Sequence, residues 1–128
     1  MINGTVTAAR EAAISLQVEG PDRRAETVEF AIDTGFTGFI ALPSVQIMRL
    51  DLPFLGFKEA TLGDGSTTML GMFAGLVHWH ERVLRVPVLE TEGGALVGMR
   101  LLHGSRLTMD ALENGPVRIE EIERKTDN

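Results

Sequence analysis

Residues 28–43 constrain this chain more than any other stretch. Val28, Phe30 and Ile32 alternate with Glu29 and Ala31 as the residues of a half-buried strand do. The strand then runs into Asp33, Thr34 and Gly35 before apolar residues resume at Phe36, Phe39, Ile40 and Leu42. A carboxylate hemmed in by apolar neighbours is costly to bury, so it must be paired, hydrogen-bonded or protonated. Gly35 and Gly38 bracket the turn, and the conformational freedom of glycine predicts backbone angles that bring N–H groups up to the acid. The stretch reads as a strand end that presents a tuned carboxyl group.

The rest of the chain supplies a scaffold of short strands. Ile14, Leu16 and Val18 alternate with polar residues, and Gly20-Pro21-Asp22 is a turn, so the strand at 26–32 delivers Asp33 at the far end of a hairpin. Residues 2–8 and 39–42 read as further strands, and Ser44, just past Pro43, is placed to cap a short helix with Val45, Ile47, Met48 and Leu50 on its apolar side. Gly63-Asp64-Gly65-Ser66 marks a tight turn between residues 59–62 and 67–70, a hairpin. A phosphate-loop reading of these four residues fails, because no Lys follows at the required spacing. Residues 82–89 give another strand, in which Pro87 predicts an edge or an irregularity. Residues 107–112 and 117–122 flank a turn at Glu113-Asn114-Gly115-Pro116, and a polar tail at 123–128 reads as frayed.

Composition narrows the classes. At 128 residues the chain reads as one domain with a real core, and its 44% hydrophobic content and dispersed glycines predict folded β structure rather than disorder. A formal charge of -6 without a local Lys and Arg cluster argues against a nucleic-acid partner. No apolar run approaches the ~20 residues of a membrane span and no secretory leader is read at the N-terminus, so a membrane partner is not expected and the cytoplasm is the expected compartment. Without cysteine the chain has no disulfide or thiolate metal site.

An apolar strand followed by Asp33-Thr34-Gly35-Phe36-Thr37-Gly38-Phe39, with Leu42-Pro43 beyond, resembles the catalytic motif of aspartic proteases, in particular the retroviral-type, retropepsin-like, single-motif branch found in small microbial proteins. A second stretch, Ala95-Leu96-Val97-Gly98-Met99-Arg100-Leu101-Leu102, resembles the family's apolar strand, glycine and short helix with paired leucines, in the right order along the chain. The resemblance spans residues 10–120. It implies a closed antiparallel β-barrel with one or two short helices, one of them near residues 99–103. It also implies an aspartic endopeptidase with no cofactor and no metal, acting on a peptide or protein substrate.

The family's roles carry over onto particular positions. Asp33 would be the catalytic carboxyl, Thr34 would hydrogen-bond across to a partner chain, and Gly35 would allow close backbone approach. Gly63, Asp64, Gly65 and Ser66, thirty residues past Asp33, would form the flap that closes over substrate. The Leu96-Val97-Gly98 strand would thread beside the Asp-Thr-Gly loop and support it. The residue after Gly35 is Phe36, where the family commonly carries Ser, Thr or Ala. Because the chemistry needs two carboxyls and the chain offers one such motif, the resemblance implies a homodimer with the site on its twofold axis. Unpaired strand edges are sticky, which predicts that terminal strands at residues 2–6 and 117–122 pair across that axis.

Two alternatives stay open at this level. One is a non-catalytic dimerisation or peptide-binding module that retains the fold. The other is a metal-dependent hydrolase around His78 and His80, which lie two apart on an expected strand, facing one way with Trp79 facing the other. No third ligand stands out in the sequence.

Overall fold

Ile14, Leu16 and Val18 line one face of strand β2 (Ala12–Glu19), and Val28 and Phe30 line one face of β3 (Ala25–Ile32). The two pair antiparallel, Ile14 opposite Phe30 and Leu16 opposite Val28, a register that puts both apolar sets on the same side, where a one-residue slip would separate them. A 3-10 turn at Pro21–Arg23 joins them. The computed structural model describes residues 1–123, so the polar tail read at 123–128 lies, apart from Glu123, outside the described residues.

The remaining elements are β1 (Ile2–Val6), β4 (Ile40–Pro43), helix α1 (Ser44–Leu50), β5 (Phe54–Thr61), β6 (Thr67–Trp79) and β7 (Arg82–Thr91). They are followed by β8 (Leu96–Val97), helix α2 (Met99–Leu102), β9 (Ser105–Met109) and β10 (Pro116–Glu121). Strand accounts for 56% of the structure and helix for 11%, so the mostly-β expectation holds. Six strands close into a barrel in the order β2, β3, β8, β4, β7, β6, and β6 returns to β2 through Val18 opposite Val77 and Glu19 opposite Leu76. The expected barrel was mostly antiparallel, and four of its six seams are; β3–β8 and β4–β7 are parallel. The cause is topological. Chain-adjacent β3 and β4 do not pair; β8 arrives later and is inserted between them, parallel to one and antiparallel to the other.

The barrel interior holds the core. Phe30, Ile40, Leu42 and Trp79 are at most 1% exposed, and full burial of each such side chain is worth roughly 1.5–3 kcal/mol. Leu101 and Leu102 of α2 and Ile47 and Leu50 of α1 plug into the same cluster. Val45 and Met48, expected on the buried side of α1, face solvent. Ser44 does not cap α1 either: Pro43 occupies the cap position, and the Ser44 hydroxyl donates to the Glu90 carboxylate on β7.

Three further readings are corrected. Pro87 sits inside the central strand β7, at a point the ladder tolerates: its partner Ala74 donates its N–H to the Pro53 carbonyl, and β4 begins pairing one residue later, at Val88. β6 ends at Trp79, and His80 and Glu81, both at positive φ (49° and 64°), form the two-residue turn into β7. His80 therefore leaves the strand on which it was to share a face with His78. Finally, β1 and β10 pair with each other, Ile2 opposite Ile119 and Gly4 opposite Val117, while β2 takes the other edge of β1 and β9 that of β10. Both terminal strands have both edges occupied within one chain, so neither is open to a partner across a twofold axis.

Candidate active site

β3 carries Asp33 out of the barrel wall, and β8 anchors it there. The Asp33 N–H donates to the Val97 carbonyl at 2.9 Å, extending the parallel ladder by one bond past Ile32. The loop back to β4 is then tied to the start of α2: Gly98 N–H donates to the Phe39 carbonyl (2.9 Å), Met99 N–H to the Phe36 carbonyl (2.8 Å) and Arg100 N–H to the Gly38 carbonyl (3.1 Å). The orphan N–H groups at the start of α2 are thus spent on holding the Asp33 loop. The Arg100 guanidinium also lies over the Phe39 ring, 5.9 Å from its centre.

Gly98 makes this clasp possible. A Cβ there would come 2.2 Å from the Gly38 carbonyl oxygen and 2.6 Å from the Phe36 ring, closer than any real contact allows. Gly35 and Gly38 work differently from the sequence expectation. Neither has positive φ. Gly38 lies under the Phe36 ring, where a Cβ would come within 2.7 Å of it, and Gly35 leaves room beside the acid, since a Cβ there would stand 3.3 Å from Asp33 Oδ1. What these glycines supply is close approach.

The Asp33 carboxylate is half-buried and accepts one hydrogen bond, from the Gly35 N–H to Oδ1 at 2.9 Å. Thr34, Gly35 and Thr37 are exposed, and so is Met99, at 44%. Phe36 turns its ring onto Gly38 and offers the carboxylate no donor of its own. The loop therefore presents a rigid backbone, a reachable carboxylate and an open surface beside it.

The residues expected to form the flap sit together at one turn. Gly63, Asp64, Gly65 and Ser66 form the tip of the β5–β6 hairpin, in which Thr61 pairs with Thr67. Asp64 Oδ1 accepts from both the Ser66 hydroxyl and the Ser66 N–H, and these two bonds hold its carboxyl below the usual aspartate range. A Cβ on Gly63 or Gly65 would meet nothing within 4 Å, so the tip stands clear of the body. Phe54, Leu55, Phe57, Leu62 and Met69 of the hairpin are all exposed, with Phe57 at 66%. The structure thus brings Asp33, Thr34, Gly35 and Gly98 together, and no hydrogen bond links the hairpin tip to them.

His78 and His80 have separate partners: His78 Nε2 meets the Glu19 carboxylate across the β2–β6 seam, and His80 Nε2 lies 2.9 Å from the Ser105 hydroxyl. Among the described residues no three His, Asp or Glu side chains are grouped to hold a metal ion, and no helix is long and apolar enough to cross a membrane. The residues that sequence reasoning missed are those acting through their backbone, the carbonyls of Phe36 and Phe39 and the N–H of Arg100; nothing in a side chain announces such bonds. The Asp64–Ser66 contact had a signal, since an Asp two residues before a Ser in a glycine turn commonly bonds back to it. No family model matches the chain, and no curated protein matches it.

Proposed function

We propose that this chain is a retropepsin-like aspartic endopeptidase that works as a homodimer, hydrolysing peptide bonds with water held between two Asp33 carboxyls, one from each chain. One observation carries the reading: the Asp-Thr-Gly loop leaves β3 beside an inserted strand, β8, and is clasped by the start of α2, which fixes a reachable carboxylate on a stiff support. A catalytic group needs that stiffness.

The chemistry follows from pairing. Two carboxylates a few ångströms apart cannot both ionise cheaply, so the pair shares one proton. The ionised member takes a proton from water as it attacks the peptide carbonyl, and the protonated member donates to the carbonyl oxygen and later helps the amine leave. Thr34 and Gly35, exposed beside Asp33, are the groups that would meet the partner chain. The β5–β6 hairpin, with its free-standing tip and exposed apolar side chains, would close over the peptide. Activity is expected at acidic to near-neutral pH.

A second reading is favoured by one specific feature. Phe36 gives Asp33 no hydroxyl donor, so a single backbone N–H is the carboxylate's support, which suits a module that binds peptides without cutting them. Asp33→Asn separates the two. The amide keeps the size of the carboxyl but can serve neither as base nor as shared acid, so the substitution should abolish cleavage of a peptide library at every pH from acidic to neutral while leaving the circular dichroism unchanged. Equal cleavage by wild type and Asp33→Asn would sink the peptidase assignment, and no cleavage by a dimeric wild type would favour the binding module. Asp51, Asp64 and Asp110 should be dispensable for the chemical step.

A further inference from the structure

The described sheet has two open edges, β5 and β9. We infer that the outer edge of β9 is the surface through which two copies of this chain pair, an inference that rests on the peptidase reading for the need of a second Asp33. The first observation is which way the backbone points. Asp110 N–H donates to the Pro116 carbonyl and Ile122 N–H to the Gly104 carbonyl, so in the alternating antiparallel ladder the even-numbered residues of β9 exchange bonds with β10. Ser105, Leu107 and Met109 therefore turn their N–H and C=O groups outward, to an edge that no described strand covers.

The second observation is self-complementarity. A twofold axis normal to the sheet keeps each side chain on its own face, so only registers with an even residue sum are allowed. The register centred on Thr108 sets Leu107 against Met109 of the partner subunit and Arg106 against the partner's Asp110, each twice. Met109 is 42% exposed although it lies on the face from which Leu107 packs into the core, and this register covers it with apolar surface. Arg106 and Asp110 are exposed and have no ion pair among the described residues. Centring on Leu107 instead would set Arg106 against Thr108 and leave Asp110 without an opposite charge across the axis.

The third observation is position. Only His103 and Gly104 separate β9 from α2, whose first N–H groups hold the Asp33 loop. The competing edge, β5, is broken by a bulge between Phe54 and Gly56, with Gly56 at φ 136°, and β6 and β7 stand between it and β4. Bulges are a device that keeps edges from pairing.

Sedimentation of the whole chain tests this with two kinds of variant. Met109→Pro removes an outward N–H and no bond to β10, and should raise the dimer dissociation constant about tenfold or more with the circular dichroism spectrum retained. Asp110→Arg should weaken the dimer about tenfold by facing Arg106 with a like charge, and the double variant Arg106→Asp/Asp110→Arg should restore it to within about threefold of wild type. A monomeric wild type at high micromolar concentration, or a dimer indifferent to both Met109→Pro and Asp110→Arg, overturns the inference. Asp33-dependent cleavage by a dimer indifferent to these variants would leave the peptidase reading standing and this one fallen. A β9-dependent dimer that cleaves nothing would do the reverse.

Discussion

At Asp33 and Gly98 two residues far apart in sequence become one device. The carboxylate is held in place because the Val97 carbonyl takes the Asp33 N–H and because Gly98 has no side chain to push the Phe36–Gly38 segment away. Gly98→Ala should therefore cost about 3 kcal/mol in denaturant unfolding, since backbone oxygen and a packed ring cannot both retreat, and it should lower activity in whatever fraction stays folded. Gly63→Ala, at a site open to solvent, should change stability by less than about 0.5 kcal/mol. Asp33 stood out in the sequence because an acid amid apolar residues is a side-chain signal, whereas Gly98 was singled out only by the family resemblance. Left-handed angles at Gly35 and Gly38 were not a sound expectation: glycine is needed equally where another group must come close, and sequence does not separate the two causes.

Among the elements, strand positions were readable wherever apolar residues alternated, as in β2, β3 and β7, and helix α2 was expected from the family resemblance of residues 95–102. Partner choice was not. That β8 threads beside the Asp33 loop was expected only from the family resemblance, and the pairing of β1 with β10 within one chain was not expected. Both depend on contacts between distant segments that local pattern does not encode. The His80-Glu81 turn was missed because neither residue is a usual occupant of positive φ. One long-range clamp carries a pH signature: Arg49 of α1 donates from Nε and Nη2 to both Glu26 oxygens on β3, each at 2.9 Å. Hydrogen bonding from Arg49 holds the Glu26 carboxyl below its ordinary value of 4.5. A carboxyl lowered in the folded state stabilises fully above that ordinary value, and the contribution is lost as pH falls through the lower folded value. Glu26→Gln should thus lower Tm by a few degrees at pH 7, and the difference from wild type should vanish in strong acid. At the hairpin tip the same sign holds for Asp64, so Asp64→Ala should speed hydrogen exchange at the Ser66 amide near neutral pH, with the rates converging as acid protonates the wild-type carboxyl.

For the whole molecule, the proposal makes the single Asp-Thr-Gly motif half of a site. The described barrel carries one such loop, so on this proposal the second carboxyl comes from a second copy. Activity should then fall faster than enzyme concentration on dilution below the dimer dissociation constant, and Met109→Pro should move that loss to higher concentration. The most direct measurement mixes wild type with Asp33→Asn at fixed total concentration, allows subunits to exchange, and follows peptide cleavage against the wild-type fraction. A site that needs Asp33 from both chains predicts that activity falls as the square of that fraction. A linear fall would mean that each chain carries a complete site, and would contradict the shared dyad.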